Sequence, residues 1–363
     1  MTPMLDVAII GAGLSGLALA ERLHDGRRNI AVFEARERRG GRILTHIARE
    51  ADLALDLGPT WLWPNRQPRM AALSKRLGLT LFRQWDGGHS LYQIDATRVP
   101  SLYIDLETHA DSRRIEGGCG RLIDGLSKLL PDDLTHLRHR LLSLTDCQTH
   151  IKLLFATAAG ERRIQARQVV LAAPPRLLAE TVRFQPALPA KFAHILRETP
   201  TWMAGHAKAL LVYEQAFWRQ YGFSGNALLR YPGAALAELY DACPADRRTA
   251  ALFGFFGLPA TTRAYYRDKL EELVARQLTG LFGAAAVNPS RVIIQDWSTE
   301  TFTATDADRI PPNEHPAYGQ AALQLDHWRD KLYFCGSETA SREGGYMEGA
   351  LEAAERVFQA LAV

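Results

Sequence analysis

The sequence is short of cysteine, and what it has is scattered. Cys119, Cys147, Cys243 and Cys335 are the only four in 363 residues, with no CxxC pair and no histidine at metal-ligand spacing. This excludes a disulfide framework and a dithiol motif. No metal site is expected, and free thiols suit a reducing compartment, so a cytoplasmic location is expected. An excess of one charge is also missing. Forty-three basic residues stand against 40 acidic ones, with no basic stripe, and nucleic acid is not an expected partner. No run of about 18 apolar residues occurs, so no transmembrane span is expected. The opening MTPMLDVAII has no basic n-region and carries Asp6 before its apolar run, so no signal peptide is expected either. What is left is an ordinary globular composition, 47% hydrophobic and 23% charged, long enough for two folding units.

The N-terminal residues are the most legible. Val7–Ile10 is an apolar, β-branched run, the mark of a buried parallel strand. Gly11, Gly13 and Gly16 follow in GxGxxG spacing, then Leu14, Leu17, Ala18 and Leu23 at helical spacing, then a second strand, Asn29–Phe33, ending at Glu34. Each glycine has its own reason. Gly11 permits the tight turn, Gly13 lets the backbone approach a pyrophosphate, and Gly16 lets the helix pack against the strands. The helix N-terminus meets phosphate charge, and an acid at position 34 suits the two hydroxyls of an unphosphorylated adenosine ribose. FAD and NAD share this fingerprint. Arg36, Gly40, Gly41 and Arg42 come directly after the acid. They add backbone N–H groups and a charge-assisted clamp beside a pyrophosphate, which favours FAD.

Further along, Leu55-Asp56-Leu57-Gly58 precedes Trp61 and Trp63. Arg69–Gly78 reads as a helix, with Met70, Leu73 and Leu77 on one face and Gly78 to end it. Strands are predicted at Leu141–Leu144 and Gln168–Ala172 with a hairpin near Gly160, and Pro174-Pro175 breaks the chain there. Ala207–Tyr213 is an apolar strand containing Lys208, nine residues before Phe217-Trp218. A buried ammonium is costly, so Lys208 needs either a partner or a path to water. Asp268–Phe282 reads as an amphipathic helix, and a strand ends at Asp296-Trp297. Leu332–Cys335 is apolar and short, and is followed by Gly336-Ser-Glu338-Thr339, then Gly344-Gly345-Tyr346-Met347 and a final helix.

On these residues the chain resembles the flavin-containing amine oxidase family, in a short, bacterial-type form. The motifs that carry the resemblance are the acid-R-GGR run of Glu34, Arg36 and Gly40–Arg42, the D-x-G of Asp56-Leu57-Gly58, Lys208 with Phe217-Trp218, and the C-terminal G-x-E-T and G-Y-M-E-G-A. The resemblance implies an α/β fold: a glutathione-reductase-like FAD unit, and a second α+β unit on a mixed sheet. The FAD unit is expected over 1–65, 115–175 and 325–363, and the substrate unit over 66–114 and 176–324. It implies non-covalent FAD held by Gly11, Gly13, Gly16, Glu34, Arg36, Gly40, Gly41, Arg42, Gly58, Leu141, Trp297, Gly336, Glu338, Gly345, Tyr346 and Met347. Lys208, holding a water beside the flavin, and Tyr346, a cage wall, would serve catalysis, and Trp61 and Trp63 would line the substrate pocket.

Two departures stand out. The stretch Gly58–Lys208 is short for the family, which implies a smaller lid. Where monoamine oxidases place a second aromatic wall, and some a flavin-linked cysteine, this chain has Asp306 and Ala307. Phe302 or Tyr318 is the expected replacement wall. The implied reaction is oxidation of an amine C–N bond to an imine, with a small amine and O2 as partners and peroxide as product. Three rivals stay open. One is L-amino-acid oxidation, with Arg342 or Arg66 on the carboxylate. The second is desaturase- or protoporphyrinogen-oxidase-like chemistry on a large hydrophobe. The third is a flavin-bearing protein without enzymatic activity. The sequence leaves the oligomeric state open.

Overall fold

The computed structural model describes residues 4–24, 27–48, 53–105, 107–246, 249–312 and 314–361. Two sheets organise it. In the first, Leu5–Ile10 lies between Gly160–Leu171 and Ile30–Phe33, parallel to both. Thr135–His136 extends this sheet beyond Ile30–Phe33, and Leu332–Phe334 pairs in parallel with the end of Gly160–Leu171. The other flank is an antiparallel meander, Arg140–Asp146, Ile151–Thr157 and Gly160–Leu171. The central strands are buried on both faces, which is why they read as continuous Val, Ile, Leu and Phe. Helices Leu14–Leu23, Pro68–Arg76, Gly120–Lys128 and Met347–Leu361 cover one face. Leu178, Val182, Phe192, Leu196 and Leu323 cover the other.

The second sheet runs Arg291–Asp296, Ala207–Tyr213, Ala250–Phe256, Leu236–Asp241, Phe223–Leu229, His89–Gln93, Ser101–Tyr103. One of its faces packs on helix Leu270–Phe282. The other meets Leu53, Leu55, Leu57 and Trp61 from the first part of the chain.

Two expected boundaries move. Arg183–Gln185 pairs with Arg140–Asp146, and helices Pro175–Thr181 and Ala190–Glu198 pack on that sheet, so the first unit runs past residue 175. Helix Pro68–Arg76 also belongs to it: Met70 and Leu73 enter its core, and the side chain of Arg69 pairs with Glu348 and Glu355. Of the stretch 66–114, the hairpin at 89–103 is what joins the second sheet. Such boundaries follow from which core a helix's apolar face enters, and periodicity does not record that choice.

Candidate active site

A cavity of about 570 Å³ runs along the C-terminal ends of the central strands and under the second sheet. Ligands of open α/β sheets sit at such ends. At one end Gly11 turns the chain with φ +108°, and a Cβ there would meet Ala172 O at 2.5 Å. At Gly13, a Cβ would find nothing nearer than Gly40 O at 4.0 Å, so the space it would fill belongs to the cavity. Gly13 caps helix Leu14–Leu23, which has neither a side-chain cap nor an acid in its first turn. Its N-terminal N–H groups are therefore free for an anion. Gly16 does not line the cavity; a Cβ there would overlap Gly11 O, so its part is packing.

Glu34 is buried and lines the cavity. Its Oε2 accepts from Ala12 N at 2.8 Å and its Oε1 from Arg36 N at 2.9 Å. Each oxygen thus accepts from one backbone N–H and has a second lone pair, with Arg36 Nη1 3.9 Å from Oε1. Leu141 lies across from it, where the ladder of Arg140–Asp146 slips between Leu141 and Ser143. Gly40, Gly41, Arg42, Gly58, Gly336, Gly345, Tyr346, Met347 and Trp297 also line the cavity. Trp297 Nε1 donates to Leu57 O at 3.0 Å, fixing the ring. The residues fit a dinucleotide: a glycine-built cradle, an uncapped helix start, and a buried acid with spare acceptors.

Glu338 differs from expectation. It is fully buried and off the cavity wall, with Oε1 2.6 Å from Arg42 Nη1. Burial works against the Arg42 charge, but Glu338, with smaller help from Tyr318 and Asp308, raises the Arg42 pKa on balance. Glu338 therefore positions Arg42, which also donates to Ser337 Oγ at 2.9 Å.

At the other end stands Lys208, whose Nζ donates to Gly58 O at 3.1 Å and to Thr60 Oγ1. It sits 4.1 Å from the Phe253 ring centroid. Burial pushes its pKa down to about 7, against the pull of Asp56 and Cys119. Trp61 and Trp63 line this region. Trp61 donates to Gln84 Oε1 at 2.9 Å and packs on His109, Tyr240 and Phe253, so it is part wall and part core.

The two expected replacement walls are elsewhere. Phe302 lines the nucleotide end: the Arg36 guanidinium lies 5.6 Å over its ring, and its carbonyl accepts from Arg36 Nη1 at 3.3 Å. The turn at Trp297–Thr299 carries it there along with Glu300 and Thr303, which also bind Arg36. Tyr318 lies behind Gly344 and Gly345 and donates to Pro200 O at 2.8 Å.

Beside Tyr346 the structure sets Trp202, with ring centroids 6.2 Å apart at 60°, and Trp202 lines the cavity. Sequence reading missed it, because it lies in an irregular turn that includes Met203 at φ +63°. Asp308, from the stretch that lacks the second aromatic, holds this turn. Its Oδ1 accepts from Thr201 N at 3.1 Å and from Arg176 Nη1 at 2.6 Å. His315, also missed, stacks on Tyr346 at 4.9 Å and 6°, and its Nε2 lies 3.0 Å from Gly344 O. Arg342 is exposed, and Arg66, also exposed, lies 5.5 Å over the Trp63 ring; neither lines the cavity.

Residues 94–362 match the family described as flavin containing amine oxidoreductase, and residues 9–77 match an NAD(P)-binding Rossmann-like domain. The chain belongs to the flavin-containing amine oxidoreductase family. Among relatives of this amine oxidoreductase, flavin-containing amine oxidase B of Sus scrofa is 25% identical, over 98% of this chain and 86% of that protein. Flavin-containing amine oxidase A of Equus caballus is 23% identical, over 97% and 84%. The fold is that of cyclohexylamine oxidase from Brevibacterium oxydans IH-35A, with TM-score 0.81, 20% identity and 99% of both chains covered. It is equally that of a putrescine oxidase bound to putrescine, with TM-score 0.80, 20% identity and 98% of both chains. The family fold agrees with the α/β reading, and its flavin with the cradle. The alignment with the Sus scrofa protein spans 460 positions against 363 residues here, so this family member is a short one. Among the described residues no helix is long and apolar enough to cross a membrane, and no group of three or more His, Cys, Asp or Glu could hold a metal.

Proposed function

We propose that the protein oxidises a C–N bond of a small amine to an imine, with non-covalent FAD as resident cofactor and O2 as acceptor. Bound in this cradle, FAD would supply the redox chemistry: a two-electron acceptor for the hydride equivalent leaving the carbon that bears nitrogen, and a donor of those electrons to O2, so that imine and peroxide are the products and water hydrolyses the imine. The chain's own residues bind, orient and exclude water. Gly11, Gly13, Gly41 and the start of helix Leu14–Leu23 would hold the pyrophosphate, Glu34 the ribose, and Leu141 the adenine by its backbone. Trp202 and Tyr346 would form the two aromatic walls, with His315 behind Tyr346 keeping its ring in place. Aromatic faces hold an amine's nitrogen and carbon skeleton without demanding a fixed charge. Lys208 has a third N–H when protonated, free of Gly58 and Thr60, with which to hold a water in the cavity.

The observation that carries this reading is the continuity of one cavity, from the glycine cradle and Glu34 to Lys208, Trp202 and Tyr346. Amino-acid oxidation is disfavoured because Arg66 and Arg342 lie off the wall. The test is anaerobic mixing of the purified yellow protein with a panel of amines and amino acids, followed by air. Bleaching by amines and peroxide on re-aeration is expected. A flavin that stays oxidised throughout the panel would overturn the proposal, and bleaching by amino acids alone would favour their oxidation instead.

A further inference from the structure

Oxidation of an amine needs the nitrogen lone pair, which stabilises the cation left when the carbon beside it gives up a hydride equivalent. An ammonium has no lone pair. The ordinary pKa of an alkylammonium is that of lysine, about 10.4, so at pH 7 a free alkylamine is almost wholly protonated. A site that draws on this protonated pool needs a group to take the proton. Of the titratable side chains on the cavity wall, Arg36, Arg42 and Arg140 accept none. Glu34 and His139 stand at the nucleotide end, where His139 N donates to Glu34 O at 2.8 Å. Tyr346 keeps its own proton at pH 7, since burial raises its pKa. Lys208 Nζ is turned to Gly58 O and Thr60 Oγ1. His206 and Glu238 are left.

His206 lies directly before strand Ala207–Tyr213, which carries Lys208. Its backbone is fixed on both sides: N donates to Met203 O at 3.1 Å, and O accepts from Trp297 N at 3.0 Å. Its ring is 6.4 Å from that of Trp202, at 51°, and Trp202 is the wall beside Tyr346. Nδ1 is buried and has no partner among the described residues, so the ring edge that meets the cavity carries Nε2. Burial, with Arg263 adding to it, holds the His206 pKa below the ordinary histidine value, against the pull of Glu238, so the ring is neutral at pH 7. Arg263 is itself paired with Asp296, at 2.7 and 2.8 Å, and donates to Gly205 O at 2.9 Å. Glu238 Oε2 accepts from the Tyr240 hydroxyl at 2.9 Å, and its Oε1 lies 3.4 Å from Arg230 Nη2. Its pull on His206 makes it a counter-charge for an imidazolium.

We propose that His206 is the proton acceptor of the reaction: the amine enters as an ammonium between Trp202 and Tyr346, and Nε2 of His206 takes one of its protons before the carbon–hydrogen bond breaks. One N–H bond breaks on the substrate, one forms on the imidazole, and the electron pair stays on the substrate nitrogen. Loss of a hydride equivalent from the carbon, taken up by the flavin, then turns that pair into the C=N bond of a protonated imine. The imidazolium, facing Glu238, returns its proton to water once the product has left. Lys208 shows what this site does to an amine: burial brings its pKa down to about 7. A substrate nitrogen enclosed in the same cavity loses basicity in the same direction, toward that of imidazole. The proposal rests on the amine-oxidation reading above and names a further catalytic residue for it.

The test compares the pH profiles of kcat/KM, by peroxide release, of the wild type and His206→Asn, with the alkylamine of the panel that bleaches the flavin fastest. Without an acceptor only the neutral amine reacts, and its share rises tenfold per pH unit below the pKa of the amine. The ratio of wild type to variant is therefore expected to fall by about 100-fold from pH 7 to pH 9. Taking the ratio cancels titrations common to both proteins, such as that of Lys208. A second readout needs no turnover. In carbon NMR of the flavoprotein, the His206 ring, assigned by its absence from His206→Asn, is expected to titrate below about 6.5, and lower still in Glu238→Gln. Flavin absorbance and Tm of each variant report that fold and cofactor are retained. A ratio constant with pH would show that His206 only packs, and would overturn the proposal while amine oxidation stands. A His206 ring still charged at pH 7 would overturn it too. A panel in which no amine bleaches the flavin would overturn both readings.

Discussion

Lys208 shows how one residue can be both costly and useful. Its strand is buried along its length, so its ammonium has left water for Gly58 O, Thr60 Oγ1 and two phenyl faces. Its folded pKa of about 7 lies below the unfolded value of about 10.4. Between those values the unfolded chain binds a proton that the folded chain does not, so stability from this group rises with pH across that window. Below about 7 both states are protonated and the desolvation cost is fully present. Lys208→Met has no such term. Its Tm relative to wild type is expected to be highest near pH 6 and to fall by pH 9, measured by calorimetry. A difference flat over that range would show that Lys208 stays charged. The same variant is expected to slow flavin reoxidation by O2 in stopped flow, if the water it would hold takes part.

At the scale of elements, the first strand, turn and helix separate two uses of glycine. A Cβ at Gly13 enters the cavity, whereas one at Gly16 overlaps the backbone of Gly11. Gly13→Val is expected to abolish the flavin spectrum while the apoprotein keeps its Tm within a few degrees. Gly16→Val should lose both, because helix Leu14–Leu23 can no longer sit on its strand. Equal loss of Tm in the two variants would refute the distinction. The sequence announced this element because glycine spacing, a β-branched run and helical periodicity all point to the same local structure. It could not announce that Glu338 stays off the cavity wall and pairs with Arg42, since that depends on a residue almost 300 positions away.

For the whole molecule, the cavity exists because distant segments are tied together. Arg42, from the first segment, pairs with Glu338 from the last and donates to the carbonyl of Trp202 at 3.5 Å. Glu338 is fully buried, so removing its partner leaves a charge without compensation, at a cost of about 3 kcal/mol or more. Arg42→Met is expected to lower Tm and weaken flavin retention together. Adding Glu338→Gln should recover much of the Tm but not the flavin, because the clamp stays absent. Full recovery of flavin in the double variant would show that Arg42 serves the fold alone. Asp308 makes a second tie, holding the Trp202 turn through Thr201 N and Arg176.

The sequence by itself determined the dinucleotide cradle, the acid at position 34, the lysine in an apolar strand and the C-terminal return of the chain. Each of these is written in short-range spacing, where local sterics and hydrogen bonding decide the outcome. Only the tertiary structure decided what stands beside Tyr346. Trp202 stands there, whereas Phe302 and Tyr318 do not, because one side chain followed Arg36 and the other packed behind a Gly-Gly turn. It also decided that Glu238 faces the cavity, for sheet register puts it in a row with Lys208 across two strands. Long-range pairing of this kind depends on which strands become neighbours, and no local pattern in the chain encodes that.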